Sequence, residues 1–228
     1  MVAILVVITI IVLLLVDWCL QLVQARRARL RANAGGRTGI PMPCNPFSPP
    51  RGLFFHPAHS WAQVEPTGAL KVGLDGLVGF LLGDIDRVEL PNPGQQVKAG
   101  ESIAKLRQGG RELILSAPVD GRVLDVNREL TPDGHFLRCE PYGAGWICEI
   151  QPDSLSKGLR SLMVGDKVTE WHAKEARRII KFLSHSDNEG GEPGEGLMLK
   201  GFMQGASDDE WRMFQSQFMD GLSGGARQ

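Results

Sequence analysis

Val2 to Val16 is an unbroken apolar run: fifteen residues without a charge and with one polar side chain, Thr9. Wound as a helix it is about 22 Å long, a little short of a bilayer core. Trp18, Cys19, Leu20, Leu22 and Val23 extend it, with Asp17 at the interface and Trp18 suited to the aromatic belt. No Lys or Arg precedes the run, so it lacks the basic leader of a secretory signal. Arg26, Arg27, Arg29 and Arg31 follow it at once. The pattern predicts a single transmembrane helix over residues 1–25, with residues 2–23 in lipid. The arginines place it in the inner, cytoplasmic membrane with the soluble part on the cytoplasmic side. Residues 26–52 start basic and then fill with Gly35, Gly36, Gly39, Pro41, Pro43, Pro46, Pro49 and Pro50, the composition of a tether.

From 53 to 152 the hydrophobic period shortens. Apolar runs of β type, Leu70–Leu74, Arg87–Leu90, Ser102–Leu106, Glu112–Leu115 and Arg122–Val126, alternate with turn clusters such as Pro91-Asn92-Pro93-Gly94 and Val119-Asp120-Gly121. The pair Gly109-Gly110 predicts a two-residue hairpin, because a type I′ turn needs positive φ at both central positions. Asp75–Leu82 reads as a short helix between strands. The expectation is a mainly β sandwich or small barrel.

The helical period returns after 153. Val168, Trp171, Glu175, Ile179, Phe182 and Leu183 form a stripe over Asp166–Leu183, and Lys174, Arg177, Arg178 and Lys181 form a basic face. That helix, within an extension over 153–186, fits either docking on the β domain or contact with anionic lipid. Residues 187–206 are rich in Gly and Glu and read as a linker. Over 207–222, Ser207-Asp208-Asp209-Glu210 has the spacing of a capping box, and Trp211, Phe214, Phe218 and Leu222 make one apolar stripe. So short a helix needs something to pack on. The long linker points to a partner protein, with Trp211, Phe214 and Phe218 as anchors, rather than to the chain's own domain.

Composition narrows the chemistry. A net charge of −1 gives no case for nucleic acid. Of the cysteines Cys19, Cys44, Cys139 and Cys148, none forms a C-x-x-C pair. His56, His59, Cys139 and Cys148 can be written as a zinc set, but reduced, unliganded thiols fit the spacing better. No G-x-S-x-G, P-loop, G-x-G-x-x-G or H-E-x-x-H is present, so no catalytic residues, metal or small-molecule substrate is expected.

His59-Ser60-Trp61, Val72-Gly73-Leu74, Leu82-Gly83-Asp84-Ile85, Val88-Glu89-Leu90-Pro91, Ala117-Pro118-Val119-Asp120-Gly121 and Pro141-Tyr142-Gly143-Ala144-Gly145-Trp146 follow one another in the order and spacing of a glycine cleavage H-protein. The chain resembles that family over slightly more than half its length. The resemblance implies a lipoyl-type barrel-sandwich hybrid, here with C-terminal α-helices and an N-terminal transmembrane helix. It also implies a packing role for His59 and Trp61. Members of the family carry lipoate on a lysine at the tip of a hairpin, eight residues before a proline that matches Pro118. Counting back without a gap lands on Gly110. Lys105 lies five positions earlier, on the strand, and is a poor substitute for a tip lysine. Arg107 and Arg111 flank the turn and read either as a docking feature for an acidic partner or as solvated charges. No cofactor is therefore expected. The functional expectation is a membrane-anchored, non-lipoylated H-protein-like module, not itself an enzyme. It would act as an accessory or scaffold for membrane-associated subunits, with a redox complex as one candidate. The alternative is a carrier with a lipoyl or acyl arm on a lysine outside the usual motif.

Overall fold

In the computed structural model the described residues are 49–131, 134–184 and 200–220. They form nine strands: β1 (Phe54–Phe55), β2 (Ser60–Val64), β3 (Leu70–Leu74), β4 (Arg87–Glu89), β5 (Gln96–Val97), β6 (Ser102–Gln108), β7 (Arg111–Ser116), β8 (Gly121–Val126) and β9 (Trp146–Pro152). The helices are α1 (Gly76–Leu82), α2 (His135–Cys139), α3 (Leu155–Arg160), α4 (Asp166–Ser184) and α5 (Asp208–Phe214). The fold is mainly β with helices, as the turn spacing predicts. The transmembrane expectation for 1–25 and most of the tether lie outside the described residues. Among the described residues no helix is long and apolar enough to cross a membrane.

All strand pairs are antiparallel. One sheet runs β1-β2-β3-β9-β8-β5 and the other β4-β6-β7. Leu70, Val72 and Leu74 of β3, Ile103, Ala104 and Leu106 of β6, Leu113 and Leu115 of β7, and Ile150 of β9 meet in one core. Alternation gives way on β2, where Ser60, Trp61 and Ala62 are all buried. Ala62 faces the main core, whereas Trp61 joins a second cluster with Leu53, Phe55 and Val168, the last from α4. A strand covered on both faces loses its period-2 signature, which is why β2 is weak by pattern alone. The two-residue strands β1 and β5 are too short to leave any periodicity to read.

Helix α4 buries Val168, His172, Glu175, Ile179 and Leu183 along one line. Its docking on the β domain is thus settled by packing. The C-terminal expectation, in contrast, needs correction. Trp211, Phe214 and Phe218 are 4%, 0% and 3% exposed and belong to the domain's own core. Phe214 and Phe218 stack at 5.1 Å between centroids and both meet Phe182 of α4. Residues 200–206, placed in the linker by composition, are packed too: Met203 and Ala206 are buried, and Gly201 N–H donates to the Phe80 carbonyl at 2.9 Å. Each of these rings removes more apolar surface from water here than it could in a marginal free helix, so folding back wins. The capping box of Ser207 and Glu210 is formed as read. Leu222 lies outside the described residues.

A buried carboxylate ties the helices to the sheets. Asp75 is fully buried and caps α1, accepting from Leu77 N at 3.3 Å. His59 Nδ1 lies 2.8 Å from Oδ2, His172 Nε2 lies 3.1 Å from Oδ1, and the Tyr142 hydroxyl donates to Oδ1 at 2.6 Å. Burial by itself raises the Asp75 pKa. The hydrogen bonds from His172 and His59 outweigh it, and the carboxyl titrates well below the ordinary range.

Two outcomes follow. Phe214→Ala should cost about 3–5 kcal/mol in denaturant unfolding, the cost of a large-to-small change in a core; an unchanged midpoint would return the ring to a partner-facing role. The depressed Asp75 pKa means its stabilisation is present above the unfolded carboxyl pKa, near ~4, and is lost as pH falls from there towards the folded value. Asp75→Asn should therefore lower stability at neutral pH and flatten the acid limb of the stability–pH curve. An acid limb identical to wild type would remove Asp75 from that role.

Candidate functional site

The hairpin β6–β7 is the element on which any carrier chemistry would stand. Leu106 and Gln108 on β6 and Leu113 and Leu115 on β7 point inward, while Lys105, Arg107, Glu112 and Ile114 face out. Gln108 pairs with Arg111 across the turn, so Gly109 and Gly110 are its two central residues. Their φ values, +57° and +82°, are the left-handed pair that the Gly-Gly reading requires. Both are exposed, and a Cβ added at either meets nothing within 4 Å. The tip is therefore open to solvent and carries no side chain.

The base of the tip is held on two sides. Gln108 is an inward polar residue, and its Nε2 donates to the Leu82 carbonyl at 2.6 Å and to the Asp84 carbonyl. Gly109 N–H donates to Asp86 Oδ2 at 2.7 Å. Asp84 and Asp86 thus hold the α1–β4 turn against the hairpin; Asp84 Oδ1 also pairs with Arg138 at 3.0 Å. On the other side the C-terminal segment covers β7, an edge strand. Trp211 Nε1 donates to the Glu112 carbonyl at 2.8 Å, and Ile114 N–H donates to Gln215 Oε1 at 3.1 Å. Side chains thus satisfy backbone groups that an open edge would expose.

The flanking charges do not form a free basic patch. Arg107 pairs with Glu89 at 2.8 Å and Glu112 at 2.7 Å. Arg111 pairs with Asp208 at 2.9 Å and lies over the Trp211 ring, 5.7 Å from its centroid. Such exposed pairs add little stability, but they cancel the field an acidic partner would sense. Both arginines named for docking are thus ion-paired on the hairpin's outer side. Lys105 sits opposite Ile114 in the body of β6, with Nζ 3.5 Å from Glu112 Oε2. The structure brings Lys105, Arg107 and Glu112 together on the outer face and leaves Gly110 beyond them.

The residues sequence reasoning passed over are Gln108, Asp75 and His172. A signal existed for the first: in the alternation of β6 it is an inward position, and an inward amide beside a turn must find acceptors. His172 carried none, since its partner lies 97 positions away. The His59–Asp75–His172 group has catalytic residue types, but all three are sealed from solvent, at 0%, 0% and 1% exposure. It is a packing element, as the resemblance implies for His59. Nor is the zinc set assembled: His59 is committed to Asp75, and burial, with Glu149 adding to it, pushes the Cys148 thiol up to about 12. Among the described residues no three His, Cys, Asp or Glu side chains form a metal-holding group.

Comparison with known proteins bears on the family of the chain. The family model described as glycine cleavage H-protein matches residues 53–175. The probable glycine cleavage system H protein of Pyrococcus abyssi is 38% identical over 120 residues, covering 53% of this chain and 89% of the relative. The glycine cleavage system H protein of Mycolicibacterium vanbaalenii is 34% identical over 116 residues, covering 50% and 88%. A crystal structure of a glycine cleavage system H protein from Mycobacterium marinum is similar at 27% identity and a TM-score of 0.49, covering 56% of this chain and 99% of that one. Segment 200–220, which covers β7, lies beyond the matched region. With its family model matched over more than half the chain, from β1 into α4, the protein belongs to the glycine cleavage H-protein family.

Proposed function

We propose that this chain is a non-lipoylated member of the family, held at the cytoplasmic face of a membrane by residues 2–23. It serves as an accessory or scaffold subunit of a protein complex instead of shuttling lipoate. The observation that carries the reading is the hairpin tip. The position eight residues before Pro118 is Gly110, in a turn built of Gly109 and Gly110. A lipoyl amide needs a primary amine on a long stem, and glycine has neither. The wider family fold is kept around this tip, which favours retention of a protein-binding role. Partners are expected to be membrane-associated subunits, because the apolar run of Val2–Val16 would confine the domain there.

A second reading rests on the relatives, which are named as glycine cleavage system H proteins. By that likeness the chain would be a carrier with its arm on another lysine. Lys105 is the lysine of the hairpin, yet it stands on the strand face with its amine turned to Glu112. A ligase that reads an exposed tip lysine would find the wrong geometry there.

Intact-mass measurement of the chain from its native host separates the two readings. The expected result is the unmodified mass; a lipoyl or acyl adduct on Lys105 or any other lysine overturns the scaffold reading. Gly110→Lys should gain partial lipoylation by a lipoyl ligase, because the tip has open space around it. It should also lose about 1 kcal/mol of stability, since φ is +82° there. For the anchor, the chain should stay in the membrane pellet after alkaline carbonate washing. External protease on intact cells should spare the β domain, and its digestion from outside would reverse the orientation. In mild detergent the chain should co-purify with other membrane subunits at fixed ratio; running alone would remove the scaffold role.

A further inference from the structure

The edge of a sheet carries unpaired backbone groups, and a protein that stays single must guard them. Among the described residues the sheets end in β1, β5, β4 and β7. β1 and β5 are 2 residues long and β4 is 3, too short to hold a neighbouring chain. β7 is different: it runs for 6 residues. Near its middle Ile114 faces outward and is 36% exposed, where a self-guarding edge would carry a lysine.

The C-terminal segment supplies the guard. Behind the two-residue turn Gln108 and Arg111 form a hydrogen-bonded pair, so Glu112 and Ile114 point their N–H and C=O groups away from β6. Trp211 Nε1 donates to the Glu112 carbonyl at 2.8 Å, and Gln215 Oε1 accepts from Ile114 N–H at 3.1 Å. An acceptor and a donor two positions apart are what an added antiparallel strand would engage. Here an indole and an amide take the strand's place, both carried on a helical segment. Gln215 also opens a π turn, Gln215–Met219, a form found mostly as single turns at functional places.

We propose that β7 is a pairing strand for a second copy of this chain, and that segment 200–220 is the block in cis that keeps the chain single. The strand is self-complementary. A two-fold axis at Ile114 sets Ile114 against its own counterpart, Leu113 against Leu115 and Glu112 against Ser116. The two isoleucines then exchange both backbone hydrogen bonds, because their groups face the edge. An axis at Glu112 would oppose two carboxylates instead, so charge selects the register. The joined sheet would run β4-β6-β7-β7-β6-β4 and end on the three-residue β4 at both sides, which closes the assembly at a dimer. Nothing in this depends on the membrane anchor or on the absence of lipoate.

The test weighs the detergent-solubilised full chain by sedimentation at high micromolar concentration. Wild type is expected as a monomer. Trp211→Ala with Gln215→Ala removes both bonds to the edge and the ring beside it, while Phe214 and Phe218 stay in the core. That variant should dimerise, and adding Ile114→Lys should return it to monomer, since two like charges would meet on the axis. Should the pair of alanines prevent folding, Trp211→Phe with Gln215→Leu keeps the packing and removes both bonds. It should raise the amide exchange rate of Ile114 about tenfold, the scale of one or two lost hydrogen bonds, and give the same lysine-sensitive dimer. A folded release variant that stays monomeric overturns the proposal. So does association that Ile114→Lys leaves unchanged, which would assign it to the N-terminal run or to exposed core. A wild-type dimer that Ile114→Lys dissolves would keep the pairing strand and overturn the block.

Discussion

A carboxylate sealed away from water is the constraint on which the rest of this domain depends. Asp75 has no solvent to stabilise its charge, so each lone pair must be met by a donor, and the donors come from four places in the chain. Leu77 belongs to α1, His59 precedes β2, Tyr142 sits in the turn before β9, and His172 lies on α4. Leaving one of them out would strand a buried charge, which costs far more than an ordinary lost contact. The packing of Phe55, Trp61 and Trp171 around the group excludes water and so keeps that cost high. His59 itself is held at φ +55°, an unfavourable conformation for a non-glycine residue. The buried hydrogen bond to Asp75 is the stabilising interaction that offsets it.

The consequence reaches the hairpin through α1. Once Asp75 fixes the start of that helix, its last turn and the Gly83–Asp86 turn are placed, and Gln108 and Gly109 hydrogen-bond to Leu82, Asp84 and Asp86 there. The hairpin is therefore anchored at its neck, while a side chain added at either terminal glycine would meet only open space. Carrier chemistry in this family would sit at an exposed tip outside the buried core. Replacing a lysine there with glycine removes a reaction without disturbing a core contact. That separation is why a fold can persist after its chemistry has gone, and it makes the proposed loss of lipoylation compatible with full retention of the surrounding segments.

What the sequence disclosed, and what it hid, divides along physical lines. Leu70–Leu74, the Gly109-Gly110 turn and the Asp166 helix were legible because each has a local signature: alternation, a left-handed pair, a 3.6-residue stripe. The burial of Trp211, Phe214 and Phe218 was not. A capped aromatic helix after a Gly/Glu-rich stretch reads the same whether its groove lies on its own domain or on another protein. The groove is built from Phe182, Glu112 and Ile114, separated from it by tens of positions or more. The pairing of Arg107 and Arg111 was hidden for a related reason. Glu89 and Asp208 neutralise them only after the sheet and the C-terminal segment have come together.

That C-terminal segment changes what kind of module this is. It lies outside the family-matched residues, and it sets the Trp211 indole donor and the Gln215 amide acceptor against the hairpin sheet's open edge. An edge strand left bare is a template for pairing with another chain. With β7 covered, the outer face made charge-balanced by Glu89 and Glu112, and the tip reduced to backbone, the hairpin offers little to an enzyme that must recognise a side chain there.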